Sequence, residues 1–341
     1  MSKKLLVLIA IYGLSACQTR TGMVKPQSPS SRETVKGSSA SHTPTSSGSP
    51  LETRDYILVE DGDKDPETNV PPVKMGSAPV QESGINLPKL PKIGLILGPG
   101  GAKTFAHIGV LQEFQKAKVP VHAIAGLEFA APMAALFAWK GYVNDVEWQM
   151  SKIKEDEIIK KGLISSALKP ADMTDLRDFI KTVFQRLKVE ELKKPFACPA
   201  LNLSKNQIYV MSKGSLDQLL PYCWPYPPMF KAYKNNVSGL RELKLTADYL
   251  RSQGAQYIVL VNVLGGNSTK HPGSGADSIE NMLWIELATS YARPQAGVDA
   301  MISVNLQEYG IMDLSQKREI MQKGAELSHK QIDILAQRLG F

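Results

Sequence analysis

The chain has 341 residues and a formal net charge of +7; 43% of it is hydrophobic and 21% charged, a balance that suits a folded domain rather than a wholly disordered chain. Its lysines and arginines are scattered, without a dense basic run interleaved with aromatics, which argues against a nucleic-acid partner. Lys3 and Lys4 precede an apolar stretch from Leu5 to Leu14. Such a stretch is too short for a transmembrane helix but suits the h-region of a signal peptide, expected over residues 1–16. It ends in Leu14-Ser15-Ala16-Cys17. From Gln18 to Pro50 no aromatic residue occurs, and Ser, Thr, Pro and Gly dominate. A segment of that kind buries too little apolar area to offset its ordering entropy, so residues 17–91 read as a tether. As a flexible coil of about 75 residues it would span roughly 45–50 Å. Within it, Arg54–Val59 suggests a short strand that docks on the domain, followed by the acidic cluster Glu60, Asp61, Asp63 and Asp65.

From Lys92 to Phe341 the pattern changes. Ile93–Leu97 is a short apolar run ending at glycines and predicts a buried strand. Gly98-Pro99-Gly100-Gly101 forms a tight loop, and a helix follows from about Ala102 with Phe105, Ile108, Leu111 and Phe114 on one face. Val121–Gly126 predicts a second strand and the residues through Met133, Leu136 and Phe137 a second helix. Further strands are expected at Cys198–Leu203, Tyr257–Val263 and Ala300–Val304, and a last helix at Ser315–Arg338. Alternation of strand and helix is the signature of parallel βαβ units, hence of an α/β fold. Asp145 to Lys194 is charged and reads as helical, either a partner surface or a solvated lid.

The glycine loop fits no nucleotide motif. A phosphate-binding loop ending at Lys103 requires glycines where Leu97 and Ala102 stand, and a dinucleotide fingerprint requires a third glycine where Lys103 stands. What remains is a strand–loop–helix whose free N–H groups face an anion. No cofactor and no metal site is expected.

Gly94-Leu95-Ile96-Leu97-Gly98-Pro99-Gly100-Gly101-Ala102-Lys103, with Ala106-His107-Ile108-Gly109-Val110-Leu111 after it, resembles the opening of patatin-like phospholipases. The later strands, Asp313 and Gly324 resemble that family's further segments in the same order. The resemblance implies a three-layer α/β/α core with a mainly parallel sheet over residues 92–341. It also implies a glycine loop that supplies the oxyanion hole. Gly98, Gly100, Gly101, Lys103 and Phe129 are the loop or ligand-binding candidates.

The family's Ser–Asp dyad is missing. Its Gly-x-Ser-x-Gly elbow aligns with Gly126-Leu127-Glu128-Phe129-Ala130, so Glu128 holds the nucleophile position. An ungapped count back from Gln253-Gly254-Ala255 puts Ser238 at the aspartate position. A carboxylate attacking an ester would form a mixed anhydride, a high-energy acyl-enzyme. Losing a catalytic serine costs on the order of 10⁶ in turnover. No histidine is placed as a base: His107 lies within the first helix, where packing is the expected role. Glu128 has two readings, a relaxed elbow with the side chain in solvent or a carboxylate bonded to the N–H groups around Gly100 and Gly101. Trp224–Phe230 reads as local packing or as a lipid-contacting lip.

Leu14–Cys17 resembles the lipobox of bacterial lipoproteins, which implies acylation at Cys17, membrane attachment through it and, with Gln18 next, an outer-membrane destination facing the periplasm. The expected protein is thus a catalytically inactive, anchored relative of these hydrolases that binds a lipid or fatty acid, or a protein partner. Two alternatives stand beside it: an acyl hydrolase using another nucleophile such as Ser238 or Cys223, and a structural envelope scaffold. Cys198 and Cys223 either pair or remain buried thiols.

Overall fold

The computed structural model describes residues 90–153, 173–227, 230–241, 243–265, 278–311 and 313–341. The expected signal peptide, Cys17, nearly all of the 17–91 arm and the Arg54–Val59 strand lie outside the described residues.

Among the described residues seven strands form one sheet: β1 Ile93–Leu97, β2 Val121–Gly126, β3 Phe196–Asn202, β4 Gln207–Met211, β5 Asn236–Ser238, β6 Tyr257–Asn262 and β7 Ala300–Ser303. The order is β4-β3-β2-β1-β6-β7. Strands β3, β2, β1, β6 and β7 run parallel, and every residue of β1 is buried, as a central strand covered on both faces must be. Flanking helices are α1 Ala106–Lys116, α2 Ala130–Lys140, α3 Val143–Met150, α4 Thr174–Phe184, α5 Leu216–Cys223, α6 Leu243–Ser252, α7 Ser278–Tyr291 and α8 Lys317–Leu339. This is the α/β fold with a mainly parallel sheet that the alternating pattern predicts. Among the described residues, Asp145 to Lys194 contributes α4 and most of α3, whose buried Leu176, Ile180, Phe184, Val146 and Met150 pack inward.

Helices α1 and α8 cross at two glycines. A Cβ on Gly109 would stand 2.1 Å from the Met321 carbonyl oxygen, and one on Gly324 would stand 2.2 Å from that of Ala106. Only hydrogen side chains allow this approach.

The short antiparallel strands β4 and β5 are additions to the expected set, and β5 positions the site. Strand β3 pairs with β2 only at Phe196 and Ala197. Beyond that point β5 pairs with β3, Ser238 opposite Ala200. Ser238 is thereby carried toward the carboxyl end of β2. Cys198 of β3 is disulfide-bonded to Cys223 at the end of α5, with Cα atoms 5.8 Å apart, which resolves the two cysteine readings in favour of pairing.

Candidate functional site at the carboxyl ends of the central strands

The glycine loop leaves β1 under tight constraint. The Gly98 N–H donates to the Val261 carbonyl at 2.9 Å, so it closes the strand and is not directed at an anion. Gly101 has φ +55°, and a Cβ there would lie 2.3 Å from the Ile311 carbonyl oxygen. A short 3₁₀ turn, Gly101–Phe105, precedes α1, so the helix begins a turn later than its apolar spacing predicts. Thr104 Oγ1 donates to the Gly101 carbonyl at 2.6 Å and locks that turn. The Gly100 and Gly101 N–H groups are left without intrahelical partners at its amino end, where backbone donors and the helix dipole favour negative charge.

Glu128 places its carboxyl there. Its Oε2 accepts hydrogen bonds from the N–H of Gly100 at 3.1 Å and of Gly101 at 2.9 Å, and the residue is 0% exposed. Of the two readings of Glu128, the solvent-directed one is therefore excluded. The other oxygen, Oε1, is buried without a hydrogen-bond partner. Burial pushes the Glu128 carboxyl up to about 7, against the opposing pull of the nearby N–H groups of Phe129, Gly101 and Gly100. Desolvation outweighs the hydrogen bonds.

The backbone around Glu128 is a sharp strand-to-helix turn. Strand β2 ends at Gly126, helix α2 starts at Ala130, and Glu128 between them has φ +53°. A left-handed conformation at a residue with a Cβ costs about 1–2 kcal/mol. The turn is held by the Leu127 N–H on the Leu97 carbonyl and the Ala130 N–H on the Leu127 carbonyl, at 3.0 and 2.9 Å. Gly126 is required there, since its Cβ would stand 2.4 Å from the Ala130 carbonyl oxygen. Ala130, where the family pattern has its second glycine, is accommodated with 0% exposure.

Ser238 meets the elbow: its Oγ accepts the Glu128 N–H at 3.0 Å, and it is 3% exposed. The β5–β3 pairing is what brings these two residues together.

Phe129 is buried, with its ring edge-on to Trp224 at 5.0 Å and tilted against Phe230 at 6.0 Å. Trp224 and Phe230 are themselves buried, so these aromatics pack the elbow and do not form an exposed lip. Edge-to-face pairs of this kind add about 0.5–1.5 kcal/mol beyond their burial.

Lys103 donates its N–H to the Gly100 carbonyl at 3.0 Å; its side chain is buried and has no ion-pair partner among the described residues, and desolvation lowers its ammonium to about 8. His107 is buried with Nε2 2.8 Å from the Gly98 carbonyl oxygen, and burial lowers it to about 4. It is a neutral ring whose Nε2–H braces the loop, the packing role expected of it. Cys223 offers no free thiol because it is bonded to Cys198. Among the described residues no group of three or more His, Cys, Asp or Glu is placed to hold a metal ion.

A glycine loop with two converging N–H groups thus lies beside a strained strand–turn–helix elbow at the carboxyl ends of parallel strands, with glutamate at the elbow. Residues 95–253 match the family model described as patatin-like phospholipase, a span that contains the loop, the elbow and Ser238. The chain is 27% identical over 207 residues to neuropathy target esterase sws of Drosophila melanogaster, covering 54% of this chain and 14% of that protein. It is 28% identical over 222 residues to patatin-like phospholipase domain-containing protein 6 of Homo sapiens, covering 57% and 15%. The chain thus spans about one-seventh of the length of these curated relatives. Among solved structures, VipD from Legionella pneumophila superposes with TM-score 0.40 at 13% identity, covering 72% of this chain and 67% of that one.

Proposed function

We propose that this protein is an envelope lipoprotein, acylated at Cys17 and held at the outer membrane facing the periplasm. Its patatin-like domain does not hydrolyse esters; it serves as a binding module for a lipid or a protein partner. The observation that carries the reading is the Glu128 carboxylate bonded to Gly100 and Gly101. An ester carbonyl is polarised by donors that are free when its oxyanion forms. Here both donors are engaged by a built-in acid. Displacing it would break two hydrogen bonds to an ionisable group, each worth about 1.5–3 kcal/mol when charged. Among the described residues, His107 is committed to the Gly98 carbonyl, and the Ser238 hydroxyl already accepts the Glu128 N–H.

The test uses a fluorophosphonate probe and a chromogenic ester on three proteins: the wild-type chain, Glu128→Ser, and Glu128→Ser combined with Ser238→Asp. The wild type stays unlabelled and hydrolyses no faster than buffer, whereas the double variant gains labelling because a hydroxyl replaces the plug and faces a carboxylate. Labelling of the wild type at Ser238 would overturn the reading. Metabolic incorporation of labelled palmitate, lost in Cys17→Ala, tests the anchor. Lipid extracted with the purified chain separates a lipid-binding module from a scaffold.

A further inference from the structure

In a parallel sheet all strands begin at one edge, and here each of the three neighbouring central strands is preceded by lysine. Lys92 precedes β1, Lys118 lies just before β2, and Lys193 and Lys194 precede β3. His122 adds a fifth basic side chain. Two adjoining clefts of about 470 and 360 Å³ run along this edge and share Pro120, Val121 and Lys194. None of these lysines forms an ion pair among the described residues. Lys194 Nζ donates to the Val121 carbonyl at 2.8 Å and Lys193 Nζ to the Lys140 carbonyl at 3.0 Å, so both side chains are positioned by neutral oxygens. Asp299, just before β7, is paired with Arg251. The clefts carry exposed apolar side chains as well, Leu90 at 47% and Tyr142 at 68%.

We propose that this edge docks on an anionic phospholipid bilayer, the lysines against the headgroup phosphates and Leu90 and Tyr142 in the interface. Unneutralised cations interleaved with apolar side chains suit such a surface better than they suit a small acid. The chain also reaches the domain at Leu90, on this edge, from the arm that bears Cys17. Glu128 and the glycine loop stand at the opposite ends of the same strands, so docking turns the candidate site away from the lipid. The inference goes beyond the reading of that site and does not depend on it.

The full chain carrying Cys17→Ser, so that no acyl group contributes, is assayed by co-sedimentation with vesicles of phosphatidylcholine alone or with about 30% phosphatidylglycerol. It binds the anionic vesicles, and binding weakens steeply from about 0.05 M to about 0.5 M salt as screening shortens. Lys92→Gln, Lys118→Gln and Lys193→Gln together, three exposed positions, weaken it about 100-fold, at roughly fivefold per lysine. An unchanged circular dichroism melt shows that the triple variant is folded. Failure to bind anionic vesicles, equal binding to both kinds, or a triple variant that binds like its parent overturns the proposal. So does binding that appears only after Glu60, Asp61, Asp63 and Asp65 are neutralised, since the face would then belong to the chain's own acidic segment.

Discussion

Replacing Glu128 by Gln isolates the electrostatic cost of the buried acid. The folded-state value lies near 7 and the ordinary value is 4.5. Between those limits the folded chain keeps a proton that the unfolded chain has released, so stability is greatest below pH 4.5 and falls as pH rises toward 7. A difference of about 2.5 units is roughly 3 kcal/mol at about 1.36 kcal/mol per unit. His107 acts with the opposite sign. Its value is lowered from 6.5 to about 4, so the folded chain is proton-poor between those limits and gains stability as pH rises through them. In the wild type the two slopes largely offset, and the wild-type profile alone hides both. Glutamine keeps an oxygen for the Gly100 and Gly101 N–H groups and cannot ionise. It also puts an NH₂ where Oε1 has no partner, a pH-independent cost of about 1–3 kcal/mol. The diagnostic is therefore the slope of the stability difference, Gln minus Glu, and not its sign. Urea unfolding followed by tryptophan fluorescence at half-unit steps should show that difference rising by roughly 3 kcal/mol in favour of Gln between pH 4.5 and 8. A difference constant across that range would refute the buried, desolvated carboxyl.

Three further outcomes follow from the packing. Gly101→Ala forces a Cβ at φ +55° to within 2.3 Å of the Ile311 oxygen, so the glycine loop must open; a loss of about 2–4 kcal/mol is expected in the same unfolding assay. Gly109→Ala separates α1 from α8 and should cost a comparable amount, with Gly141→Ala, whose added Cβ meets nothing within 4 Å, losing less than half as much despite its φ of +82°. Changing both Cys198 and Cys223 to Ser removes a crosslink spanning 25 residues and should lower stability by roughly 3 kcal/mol; equal stability of the oxidised protein and the double variant would show that the bond is not formed.

Where the sequence was legible, the physics is local. The apolar runs at Ile93–Leu97, Val121–Gly126 and Tyr257–Asn262 are strands because a central parallel strand must be apolar on both faces, and a run of that kind is visible without knowing its neighbours. The elbow was found as a gap in a pattern, glutamate where serine belongs. By contrast β4 and β5 carry no local signal. Strand β4 is half exposed and polar at its start, and β5 is only three residues long, so neither presents a buried run.

The sequence by itself determined the alternation of central strands and helices, the glycine loop, the absence of a serine at the elbow and the charge of the chain, because each is written in consecutive residues. Tertiary structure decided how the 28-residue separation between Gly100 and Glu128 and the 110-residue separation between Glu128 and Ser238 close to hydrogen-bond distance. It also decided which way the Glu128 carboxylate turns. The physical reason is that a side chain's partner and its desolvation are set by strand pairing across the sheet, such as β5 beside β3, and no local pattern of residues encodes that pairing.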